Sequence, residues 1–354
     1  MASIQDIFKW VETFNQTTLP AADEATEAYI ARLLQSYDEK LHSLPACPVQ
    51  SQEDWENTLR DVKSLSDTIN QCLTDFSQAR IADSINHLHD YIARNNDLLK
   101  YTVNPSVEAD KIWYRMRMQE KGHRVFPAKE MFHIPFNLRH KVSLARYSVS
   151  GYPCLYTSRS VWANWEEMHE PKISDFTVSR LELHNPINVL DLRVPVWKDD
   201  HSDQDLLSQL ATIPLVLACS VKTRYPEDNF KPEYIVPQLV MLAITYPDVV
   251  VMGCAYTSTM RNPVFTWPDV RLLDNLALPV KRIDTAFLHC PELCSLFKIS
   301  DSTNYDFEML KKPFATLFWS VYNEEGIVEG AKEYSSSIFG QLEDRLAEME
   351  VKQL

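Results

Sequence analysis

The stretch Leu144-Ala-Arg-Tyr-Ser-Val-Ser-Gly-Tyr-Pro-Cys-Leu-Tyr156 decides how this chain is read. Ser150-Gly151-Tyr152-Pro153 is a turn signal, because glycine and proline supply backbone angles that other residues resist. The turn links a segment carrying Arg146 to a short strand, Cys154-Leu155-Tyr156. Ser158 or Ser160 then caps a helix over Val161–Met168, and Pro171 stops it. A turn, a strand and a capped helix in quick succession predict mixed α+β structure here. Their meeting would bring an arginine, a tyrosine and a carboxylate of the pair Glu166/Glu167 close together.

Downstream the texture continues. Phe176–Leu183 and Ile187–Leu192 read as strands, and Val249–Tyr256 reads as a core strand. Leu206–Thr212 reads as a short helix ended near Pro214. Ile235–Ile244 reads as a buried helix with Pro237 tolerated in its first turn. Gly330–Val351, rich in Glu, Lys, Arg, Ala and Leu, reads as an amphipathic terminal helix.

Upstream the pattern is helical. The first glycine is Gly122, and a glycine-free run of that length disfavours strands with tight turns. Ile4, Phe8, Val11 and Phe14 mark one helix, and Tyr29, Leu33, Leu34 and Leu41 another. Ser51 opens a third, whose apolar face runs through Trp55, Leu59, Val62, Leu65, Ile69 and Leu73. Ile81, Ile85, Leu88, Ile92 and Leu99 mark a fourth. The expectation is a helical bundle over 1–105, a hinge at Val103-Asn104-Pro105-Ser106, and an α+β domain over 109–354.

Composition sets limits. Of 354 residues, 45% are hydrophobic and 24% charged, which suits a packed globular chain. Lys plus Arg number 35 against 49 Asp plus Glu, a formal charge of −14, so general nucleic-acid binding is disfavoured. No apolar run is long enough for a membrane span, and MASIQDIFKWVE does not read as a secretory signal. The seven cysteines are odd in number and mostly in apolar surroundings, which suits reduced thiols in a cytoplasmic protein. Cys290-x3-Cys294 lacks a second pair at zinc spacing, so no metal is expected. His133 reads as a packed histidine in an aromatic segment. G-x-S-x-G, G-x-x-x-x-G-K and G-x-G-x-x-G are all absent.

The order of several motifs resembles the RES domain family, named for an arginine, a glutamate and a serine. Trp113-Tyr114-Arg115-Met116-Arg117 resembles that family's opening strand. Arg146-Tyr147-Ser148 with Gly151-Tyr-Pro-Cys-Leu-Tyr156 resembles its core motif. Glu167, 21 residues after Arg146, matches the family glutamate, with Glu166 as rival. Val251-Met-Gly-Cys-Ala-Tyr-Thr-Ser258 resembles the serine motif, though it lacks the expected polar approach, which leaves Thr257 and Thr259 as rivals of Ser258. The resemblance covers about residues 110–275, with 276–354 as a helical extension.

The resemblance implies an ADP-ribosyltransferase-like fold and an enzyme acting on NAD. It implies that Glu167 and Arg146 are catalytic, and that Arg115, Tyr147, Tyr156 and Ser258 bind NAD. The implied reaction is cleavage of the nicotinamide–ribose bond by phosphorolysis or hydrolysis. NAD is then the substrate, inorganic phosphate a possible co-substrate, and no cofactor is needed. The residue types suit this chemistry. Arginine grips pyrophosphate in a bidentate fork, and a carboxylate stabilises the oxocarbenium-like state at the ribose. A growth-arresting toxin or phage-defence role is implied too, with an antitoxin or other inhibitory protein, or a homodimer, as partner. The alternatives are mono-ADP-ribosylation of a protein, and a catalytically silent nucleotide- or protein-binding module.

Overall fold

The regular elements follow from caps and apolar stripes that can be named one by one. In the computed structural model, residues 3–17, 24–95, 99–119, 125–260, 270–304, 334 and 337–354 are described. Helices α1 (Ile4–Thr17), α2 (Thr26–His42), α3 (Gln52–Ser77) and α4 (Ile81–Arg94) come first. Strand β1 (Lys100–Val103), the single turn α5 (Glu108–Lys111) and strand β2 (Ile112–Met118) follow. Next come β3 (Cys154–Ser158), α6 (Val161–Glu167), β4 (Phe176–Leu183) and β5 (Ile187–Leu192). Then α7 (Asp203–Cys219), α8 (Ile235–Ala243), β6 (Cys254–Thr257) and β7 (Asp274–Pro279). The chain ends with α9 (Pro291–Leu296), β8 (Phe297–Ser300), α10 (Ile338–Ala347) and β9 (Val351–Gln353). The α+β class is as the sequence indicates.

Serines start several of the helices. Ser51, Ser160, Ser202 and Ser337 each accept a hydrogen bond from the amide three residues on, which satisfies a donor the helix itself cannot. Ser160, not Ser158, is therefore the cap of α6.

The chain forms two compact units that interleave along the sequence. Residues 1–102, 143–150 and 188–259 make the first; 103–142, 151–187 and 260–354 make the second. In the first unit, α7 packs on α3 and α2, and α8 packs on α4. The apolar faces of α1–α4 are thus covered partly by helices from much later in the chain. Strand β5 pairs with β6 in parallel, with Leu190 opposite Cys254 and Leu192 opposite Tyr256.

Three sequence expectations need correction. Helix α7 does not end near Pro214 but continues to Cys219. Proline at 214 removes the amide that would bond to the carbonyl of Leu210, and the buried Tyr37 hydroxyl donates to that carbonyl instead, at 2.8 Å. The strand expected over Val249–Tyr256 begins only at Cys254. Before it, Val249 N bonds to Tyr246 O and Val250 stands exposed, so this part follows a turn. The terminal helix spans Ile338–Ala347 only; Val351 onward is strand β9, paired with β8. Residues 330–333 and 335–336 of that expected helix lie outside the described residues.

In the second unit the strands are antiparallel neighbours in the order β7-β3-β2-β4-β8-β9. Helices α6 and α10 cover one face. Tyr114, Met116, Phe176 and Val178 from the strands meet Val161, Trp162 and Trp165 of α6 and Phe339, Leu342 and Leu346 of α10. Trp162 stands edge-on to Phe339 at 5.0 Å between centroids, a favoured aromatic geometry. Among the described residues no helix is long and apolar enough to cross a membrane.

Candidate functional site

Strand β2 follows β4 through seven paired positions, from Ile112↔Glu182 to Met118↔Phe176. Against β3 it is paired only at Tyr114↔Ser158. Beyond that point the two strands part, and side chains take over the backbone groups that a ladder would have used. Asn164 of α6 accepts from Met116 N at 3.3 Å and donates to Tyr114 O at 2.8 Å. Its amide imitates a backbone peptide on an edge where the neighbouring strand has left. Across the same gap, Arg115 Nη1 donates to Tyr156 O at 2.9 Å.

Arg115 is partly buried, and among the described residues no carboxylate lies within ion-pair distance of it. Burial pulls its guanidinium down to about 10, and the charge of Arg117 adds to the fall. The group is still charged at neutral pH. A half-buried cation with one carbonyl acceptor and no counter-charge among the described residues is costly. Arg117 has another occupation: it donates to Glu130 O at 2.9 Å and lies over the Phe126 ring at 4.0 Å.

Glu167 ends α6 and is partly exposed. Asn275 Nδ2 of β7 donates to its Oε1 at 3.3 Å, and Asn275 in turn is hydrogen-bonded to Ser158 of β3. Asn275 is buried. The carboxylate of Glu167 is thus tied to the sheet by a short polar relay. Glu166, its neighbour, is only 1% exposed, which places it inside the fold rather than at a ligand-accessible edge.

The six candidates from the sequence divide between the units: Arg115, Tyr156 and Glu167 in the second, Arg146, Tyr147 and Ser258 in the first. Arg146 sits at the carboxyl end of α7. Its Nη1 donates to Cys219 O at 3.0 Å and Val221 O at 2.9 Å, its Nη2 reaches Thr223 Oγ1 at 3.4 Å, and it lies over the Tyr234 ring at 4.8 Å. The Cys219 carbonyl is at the negative end of α7, a favourable place for a cation, and the Val221 carbonyl lies just beyond it. The Tyr147 ring is buried against Tyr256, 4.4 Å between centroids. Ser258 is wholly buried just past β6. Its rival Thr257 is engaged structurally, since its hydroxyl accepts from Val194 N at 3.0 Å.

Sequence reasoning passed over Asn164 and Asn275. A signal existed for Asn275, a poor strand former inside the otherwise apolar Asn-Leu-Ala-Leu-Pro run. For Asn164 the sequence offered none, since asparagine on a helix next to tryptophans has many readings. His133 is packed as expected: Cys290 N donates to its Nε2 at 2.9 Å, and burial pushes it down to about 4. A groove of about 890 Å³ lies among α2, α3 and α4, but none of the six candidates lines it, and its Lys63 is paired with Asp67 at 2.7 Å.

No family model matches the chain. No solved structure matches it either. Among curated proteins, the chain is 27% identical over 297 residues to the Bacillus subtilis (strain 168) protein named "Putative toxin YopC". The match takes in 79% of this chain and 66% of that protein, so the chain spans a little under two thirds of its relative's length.

Proposed function

We propose that this chain is an NAD-consuming enzyme that cleaves the nicotinamide–ribose bond by phosphorolysis or hydrolysis, and that it arrests growth as a toxin. The observation that carries the proposal is Arg115, a half-buried guanidinium in the gap between β2 and β3 without a carboxylate partner among the described residues. The pyrophosphate of NAD would supply the missing negative charge in bidentate form.

Glu167 supports the same reading. A carboxylate near the ribose stabilises positive charge developing at C1′ as nicotinamide leaves. The nicotinamide ring is itself cationic, so no strong general acid is required. The relay from Ser158 through Asn275 fixes the carboxylate's orientation while leaving it partly exposed. The growth-arrest part rests on the relative's naming as a toxin. An antitoxin or other inhibitory protein would be its partner.

The test is direct. Purified chain is incubated with NAD, with and without inorganic phosphate, and nicotinamide is followed by chromatography. Release dependent on phosphate identifies a phosphorylase, and release without it a glycohydrolase. Label transferred from NAD onto a protein would identify an ADP-ribosyltransferase instead. Glu167→Gln should abolish release in a folded protein. No release under any condition at high protein concentration would leave a binding module and remove the enzymatic reading.

A further inference from the structure

Helix α6 has an unusual cap. A helix leaves its first amides without partners, and its own amino-cap side chain can answer only one or two of them. In α6, Ser160 Oγ accepts from Ala163 N at 3.0 Å. The two amides before it are answered from far away in the sequence. Val161 N donates to Glu343 Oε1 at 2.7 Å, and Trp162 N lies 3.5 Å from the Tyr334 hydroxyl. That hydroxyl donates to the same Oε1 of Glu343. Glu343 lies on α10, whose Phe339, Leu342 and Leu346 pack against Trp162 and Trp165 of α6.

We propose that Glu343 is a positioning residue: its carboxylate, carried by α10, completes the cap of α6 and so holds Asn164 and Glu167 in place. The functional part of this inference rests on the site proposed above. Its mechanical part does not.

A buried carboxylate in this role also makes the cap respond to pH. Burial pushes the Glu343 carboxyl up from 4.5 to about 7, while its bonds from Tyr334 and Val161 pull the other way and the charge of Asp344 adds to the rise. The other groups facing it are Tyr334, whose hydroxyl burial raises well above its ordinary value, and Tyr114 of β2, which also feels Arg180 of β4 and Arg159. Helix α6 carries two carboxylates of its own, Glu166 and Glu167, at its far end. Above neutrality Glu343 is ionised and gives α6 a charge-assisted acceptor at its positive end. As pH falls through about 7 it takes up a proton and that acceptor weakens.

The experiment is hydrogen exchange of the 160–168 segment in the full chain without NAD, read as protection factors at about pH 5.5 and about pH 8.5. In the unaltered protein, protection of Val161 and Trp162 should rise roughly tenfold between the two conditions, the size expected when one charge-assisted bond is gained. Glu343→Gln keeps an acceptor oxygen but cannot titrate, so its protection should be the same at both. Tyr334→Phe should lower Trp162 protection while keeping the pH response of Val161. A Glu343→Gln protein that still follows the pH response of the unaltered chain would overturn the proposal, as would equal protection at the two pH values in the unaltered chain. Exchange that behaves as expected in a protein that never releases nicotinamide would sink the enzymatic reading alone.

Discussion

Asn164 offers the sharpest test of the gap between β2 and β3. Replacing it by leucine keeps the number and branching of side-chain heavy atoms and removes both hydrogen-bonding functions. Tyr114 O then loses a 2.8 Å donor and Met116 N loses a 3.3 Å acceptor. Each buried backbone group left without a partner costs about 1–3 kcal/mol, the longer bond at the low end. The sum is about 2–4 kcal/mol, or roughly a thirtyfold to thousandfold fall in the folding equilibrium. Asn164→Asp should be comparably harmful, because it can still accept from Met116 N but sets an oxygen against the Tyr114 carbonyl. The assay is urea unfolding followed by tryptophan fluorescence, with exchange of the 112–118 segment to localise the loss. A stability loss below about 0.5 kcal/mol for Asn164→Leu would show that β2 needs no side-chain substitute for its missing ladder, and the account of the gap would be wrong.

Two further outcomes follow from charge placement. Arg115→Met removes a half-buried charge that no carboxylate balances among the described residues, so the thermal midpoint should hold or rise while NAD binding measured by calorimetry weakens at least roughly tenfold. A marked fall in the midpoint would mean that the cation serves the fold. His89 Nε2 lies 2.9 Å from Asp248, which raises the imidazole above 6.5 and lowers the carboxyl below 3.8. The raised histidine contributes stability that is full below 6.5 and fades as pH rises through its folded value. The lowered carboxylate contributes stability that is full above 3.8 and fades in acid. Asp248→Asn should therefore lower the thermal midpoint at about pH 5.5 and leave it unchanged at about pH 9; equal effects at both would refute the pairing.

The elements that the sequence displays are those whose signals are local. Phe176–Leu183 and Ile187–Leu192 stand where their apolar runs place them, and Ser51 and Ser160 cap the helices they precede. What the sequence hides depends on partners far along the chain. Pro214 argues for a helix end until Tyr37, 173 residues away, answers the carbonyl it leaves open. The apolar stripes of α3 and α4 predict burial but not that α7 and α8 cover them. The cap of α6 looks finished with Ser160, and only the fold adds Glu343 and Tyr334 to it. Glu166 and Glu167 are indistinguishable as letters, and burial separates them.

The same logic ranks the two arginines that the motif order treats alike. Arg146 donates to the last carbonyl of α7 and to the Val221 carbonyl just beyond it, and it reaches the Thr223 hydroxyl, so the negative pole of the helix and its flank already answer its charge. Removing a ligand from it would leave a satisfied group. Arg115 donates to a single strand carbonyl, sits where β2 and β3 separate, and is shifted downward by burial that no carboxylate among the described residues offsets. A cation in such a place carries a desolvation cost that none of the described carboxylates offsets. Of the two, Arg115 is therefore the one whose described surroundings leave its charge least answered, and Arg146 is the one whose charge the described residues already answer.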